Sequence, residues 1–74
     1  MNKDEKKTEA EYYSDGCRIE KLIDNKGDVV EEHFFNSRGK LETTYQYKYS
    51  DQGICIEESE YNAKGVLISK TNYN

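Results

Sequence analysis

The sequence predicts an all-β fold: a single antiparallel β-meander of five to six strands joined by tight Gly-containing turns, with no substantial helix. Three observations carry this. Glycines fall at 16, 27, 39, 53 and 65, about one strand and one turn apart. Four of them close the same short pattern: "DNKG" (24–27), "NSRG" (36–39), "SDQG" (50–53) and "NAKG" (62–65). Between the glycines, apolar and polar residues alternate, and no segment carries an apolar stripe of helical period.

The elements follow in chain order. Residues 1–7, "MNKDEKK", are charged and aperiodic and read as a disordered tail ahead of one repeat domain, 8–74. The first strand, about 8–13, runs into "YSDGCR", whose Asp15-Gly16 is the signal of a two-residue hairpin. That turn pairs Tyr12 with Ile19 and Tyr13 with Arg18. Further strands are expected near 17–23, 29–35, 40–49, 54–61 and 66–73. In the four repeated turns, Asp, Asn or Ser at the first position bonds back to the backbone, and Gly at the fourth takes a positive φ. A type I turn followed by such a Gly is a three-residue hairpin loop. The chain has no Pro, so nothing forbids the strands from pairing.

Loop length fixes register. The residue before each turn faces the second residue after its Gly, which pairs Ile23 with Val29, Phe35 with Leu41, Tyr49 with Cys55 and Tyr61 with Leu67. All four pairs are apolar or aromatic. The three-residue loops preserve parity, so one face of strands two to six holds the odd residues, among them Phe35, Tyr45, Tyr47, Tyr49, Tyr61 and Tyr73. The other face then holds Glu20, Glu32, Glu42, Glu58 and Glu60, with Glu20 opposite Glu32 and Thr44 opposite both Glu32 and Glu60. His33 falls between Ile19 and Thr43.

Composition limits the functions. The chain has 74 residues, 34% hydrophobic and 35% charged, with a formal net charge of −4. One small domain is possible, with a small core. The acidic balance disfavours direct nucleic-acid binding and favours a basic partner. No apolar run reaches the roughly 20 residues of a membrane span, and the start lacks the apolar core of a leader. The expectation is a cytoplasmic protein with Cys17 and Cys55 reduced.

Catalytic chemistry has no foothold in the sequence. His33 is the only histidine, and no zinc spacing surrounds it. The glycines serve turns, so no phosphate loop is present. No catalytic, cofactor-binding or metal-binding residue is assigned. Besides an exposed edge strand, 66–73, open to strand addition, two candidate partner surfaces remain. One is aromatic: Phe35, Tyr45, Tyr47, Tyr49, Tyr61 and Tyr73, tyrosine being favoured at interfaces. The other is the acidic stripe of Glu20, Glu32, Glu42, Glu58 and Glu60, suited to a basic surface.

"YNAKGVLISKTNYN" and "YKYSDQGICIEESEYNAKG" resemble bacterial YD-type repeats and the MORN-like variants of small bacterial proteins, over about residues 23–74. The chain departs from that pattern where "YD" is expected, having Tyr49-Ser50-Asp51 and Tyr61-Asn62. The resemblance implies a β-meander and a non-enzymatic interaction role, in some relatives that of an antitoxin, and it transfers no catalytic residue. The combined expectation is a non-enzymatic, acidic protein-binding module, an inhibitor or antitoxin-like protein docking on another protein. One alternative is a phage-type, anti-CRISPR-like inhibitor of a nucleic-acid-handling defence enzyme, with carboxylates mimicking phosphates. A second is a structural scaffold that dimerises through its tyrosine faces.

Overall fold

The computed structural model describes residues 6–73. They form one six-stranded antiparallel sheet in meander order: β1 (Lys7–Tyr12), β2 (Arg18–Ile23), β3 (Val29–Phe35), β4 (Leu41–Tyr49), β5 (Cys55–Tyr61) and β6 (Leu67–Asn72). No helix occurs among the described residues. The expected tail lies outside the described residues except for Lys6 and Lys7, and Lys7 opens β1.

The four repeated turns share one hydrogen-bond scheme. Asn36 Oδ1 accepts from the backbone N–H of Arg38 (2.9 Å) and of Lys40 (3.1 Å). Asp24, Ser50 and Asn62 accept from the corresponding two positions of their own turns. Each first residue also takes the N–H of its Gly on its carbonyl, as Gly39 N does to Asn36 O (2.9 Å). Gly39 has φ of 80°, a region in which a Cβ meets the following carbonyl.

The first turn differs from the two-residue hairpin expected at Asp15-Gly16. Gly16 N–H bonds Tyr13 O and Tyr13 N–H bonds Cys17 O, so this loop is the same three-residue type with Tyr at its first position. Asp15 instead accepts from Cys17 N–H at 3.0 Å. The ladder consequently pairs Tyr12 with Arg18 and Glu11 with Ile19, one residue away from the expected register.

Next to the other four turns, the expected pairs form: Ile23 with Val29, Phe35 with Leu41, Tyr49 with Cys55, and Tyr61 with Leu67. One step further, each ladder shifts. Leu22 pairs with Glu31, Phe34 with Thr43, Lys48 with Glu57, and Glu60 with Ser69. Val30, Glu42, Ile56 and Ile68 are therefore extra residues, one β-bulge per hairpin. Each bulge moves the rest of its strand by one position, so parity is not kept from strand to strand. Glu20 faces His33 rather than Glu32, and Thr44 faces His33 and Tyr61 rather than Glu32 and Glu60.

The sheet is a single layer. Among the described residues no hydrophobic side chain is buried, and Ser59, at 5% exposure in the centre of β5, is the only buried residue. The accessible surface is 5622 Å². A compact monomer of this mass exposes about 4,700 Å². A single layer has no second layer to cover either of its faces.

Turn chemistry should therefore weigh heavily on stability. Gly39→Ala is expected to cost about 1–2 kcal/mol, because it forces Cβ into the positive-φ region. Asp51→Ala, exposed at the second turn position, should stay within about 0.5 kcal/mol. Urea unfolding followed by circular dichroism measures both.

Candidate functional site

Directly opposed residues of an antiparallel ladder share a face, so the shifted ladders define the two faces. On one, Ile19 faces Phe34, Lys21 faces Glu32, and Tyr45 lies between Glu32 on β3 and Glu60 on β5. Tyr47 faces Glu58, which faces Thr71. Tyr49 and Tyr73 extend this row. The bulges have thus gathered tyrosines and glutamates that the unshifted register separates.

The contacts on this tyrosine face are specific. Tyr47 reaches diagonally across the ladder and donates its hydroxyl to Glu32 Oε1 at 2.6 Å. Tyr73 repeats the motif one hairpin on, donating to Glu58 Oε1 at 3.1 Å. Tyr49 donates to the backbone carbonyl of Val29 at 2.6 Å, fixing the start of β3. The Tyr45 ring meets Phe34 edge-on, with centroids 5.5 Å apart.

Charge on this face is uncompensated. Lys21 stands opposite Glu32 but pairs with Glu11 at 3.6 Å. Among the described residues, no Lys or Arg forms an ion pair with Glu32, Glu58 or Glu60. The tyrosines register that negative potential. Burial, followed by the hydrogen bond to Glu32, pushes the Tyr47 phenol far above the ordinary tyrosine range. Burial and then the charges of Glu60, Glu58 and Glu32 raise Tyr45. Burial raises Tyr49, and the hydrogen bond to Glu58 raises Tyr73.

The opposite face is internally neutralised. Arg18 pairs with Glu20 at 3.0 Å and covers the Phe35 ring, its guanidinium carbon 3.9 Å from the centroid. Glu57 lies between Lys48 (3.4 Å) and Lys70 (3.7 Å). A polar chain runs from the Tyr61 hydroxyl to Gln46 Oε1, from Gln46 Nε2 to Glu31, and from Glu31 to His33 Nε2 at 2.6 Å. Thr44 Oγ1 lies 3.4 Å from His33 Nδ1. A shallow concavity of about 360 Å³ opens over Glu31, Gln46, Glu57 and Ser59. Of its lining charges, Glu57 is paired with Lys48 and Lys70.

The eleven residues picked from the sequence divide accordingly. Tyr45, Tyr47, Tyr49, Tyr73, Glu32, Glu58 and Glu60 share one face. Phe35, Tyr61 and Glu20 lie on the other. Glu42 is a bulge residue, its carboxylate 3.4 Å from Asn36 Nδ2 beside the turn. Sequence reasoning missed Phe34, which the register brings to Tyr45. It also missed Glu9 and Glu11, whose ladder partners Lys21 and Ile19 place them on the tyrosine face. Cys17 and Cys55 are free thiols. No group of His, Cys, Asp and Glu among the described residues is arranged to hold a metal ion.

No family model matches the chain, and neither the curated proteins nor the solved structures contain a match to it.

The raised phenols give a pH signature. The unfolded chain ionises its tyrosines near pH 10, whereas the folded chain holds Tyr45, Tyr47, Tyr49 and Tyr73 protonated to higher pH. Above pH 10 the native state binds more protons than the unfolded state, so stability falls as pH rises. Below pH 10 this contribution is fully present. Urea midpoints measured from pH 8 to pH 11 should decline above pH 10, and Tyr47→Phe should flatten the decline.

Proposed function

We propose that the chain is a non-enzymatic interaction protein that docks its tyrosine face on a basic surface of another protein. The observation that carries this is the contrast between the two faces. One has its carboxylates bonded to Arg18, Lys48, Lys70 and His33. The other holds Glu32, Glu58 and Glu60 among tyrosine rings, and among the described residues no Lys or Arg is ion-paired with them.

Charges placed in this way favour encounter and discrimination, because a basic partner would supply the missing cations and a neutral or acidic one would not. The tyrosines supply area at low entropic cost and hydroxyls that exchange partners readily.

The test uses the intact chain as bait in an extract of its source cell. A partner retained by the wild type should be lost when Glu32, Glu58 and Glu60 are together changed to Gln. It should be kept when Glu31 and Glu57, on the opposite face, are changed to Gln. With the partner purified, the affinity should fall steeply with added salt. Equal retention by both variants would contradict the proposal.

A further inference from the structure

The sheet ends on two free edges, and they are not alike. β1, "KTEAEY", carries Lys7, Glu9 and Glu11 along its length. Charges spaced in this way discourage an edge from accepting another strand. β6, "LISKTN", has one charge, Lys70. It is preceded by Val66, and Val66, Leu67 and Ile68 are 55%, 47% and 55% exposed. No Pro interrupts it. Its bulge sits at Ile68 beside the turn, and from Ser69 to Asn72 its ladder with β5 is regular. Tyr73 N–H donates to Ile56 O at 2.8 Å. By the alternation of an antiparallel ladder, the backbone groups of Lys70 and Asn72 therefore point outward, away from β5.

We propose that β6 pairs antiparallel with β6 of a second copy, about a two-fold axis through Ser69, joining the two sheets into one. Charge excludes the register centred on Lys70, and cover for the lysine stem favours the one centred on Ser69. An axis through Lys70 would set that lysine against itself, and like charges directly opposite destabilise a strand pair. An axis through Ser69 sets Lys70 against Ile68 and Leu67 against Thr71, so each copy's lysine stem lies along the other's apolar side chain.

Charge also separates this arrangement from a face-to-face dimer. Stacking two tyrosine faces about 10 Å apart would oppose Glu32, Glu58 and Glu60 to the same residues of the second copy. Edge pairing leaves two strands between the nearest acidic strands, β5 and its counterpart. At about 4.8 Å per step they stand about 14 Å apart, beyond the screening length of about 8–10 Å. Five paired residues on each side, Leu67 to Thr71, cover less than a standard interface does, so the dimer is weak and concentration-dependent. Because ladder partners share a face, both tyrosine faces end on the same side of the joined sheet.

Sedimentation of the full chain from micromolar to millimolar concentration should show the mass rising toward two chains. Ile68→Lys, which brings a second lysine against Lys70, should weaken association at least tenfold. Thr8→Lys on the β1 edge should leave it unchanged. In a chain with Cys17 and Cys55 changed to Ser, mild oxidation should link Ser69→Cys into a dimer. Thr71→Cys should not link, because two residues 71 would lie about 13 Å apart along the paired strands. A monomer at every concentration, disruption by Thr8→Lys, or equal linking at both positions would overturn the proposal. If Ile68→Lys fails to fold by circular dichroism, the two cysteine variants decide.

Discussion

One extra residue in each of four hairpins determines which side chains meet. Val30, Glu42, Ile56 and Ile68 each stand without a ladder partner one step from a turn. The period of a strand is two residues, so a single insertion turns the remaining strand over relative to its neighbour. Without these bulges, tyrosines would line one side and glutamates the other. With them, Tyr45 sits between Glu32 and Glu60, and Tyr47 can reach the Glu32 carboxylate.

That placement opposes two tendencies. Carboxylates crowded on one face repel one another and cost stability. Phenol hydroxyls ease the repulsion by donating to Glu32 and Glu58, and the rings partly shield the row from water. The opposite face is relieved differently, by Arg18, Lys48, Lys70 and His33. A single-layer sheet with no buried apolar residue depends on such cross-strand contacts and on its turns. The two faces thus contribute to the fold by different means, and only one retains a net field directed outward.

Much of the fold was legible in the sequence because turn chemistry is local. Asp24, Asn36, Ser50 and Asn62 with their glycines specify four loops, and the apolar pairs beside those loops specify where pairing begins. The first turn was misread because Tyr13 occupies the position held elsewhere by Asp, Asn or Ser, which drew attention to Asp15-Gly16. The bulges were not legible for a different reason. Val, Glu, Ile and Ile at the inserted positions have ordinary strand character, and no Gly marks them. A bulge is a relation between two strands that also increases their local twist, and no short stretch of sequence states it. The face on which each candidate residue lies differs from the expectation, because that grouping depends on the bulges.

The central claim is therefore a statement of register, and cross-strand nuclear Overhauser contacts in the labelled full chain test it most directly. The shifted ladder predicts backbone contacts from Tyr45 to Glu32 on β3 and to Glu60 on β5, with Thr44 contacting His33 and Tyr61. Contacts from Thr44 to both Glu32 and Glu60 would show unbroken parity. They would separate the tyrosines from the glutamates and contradict the account.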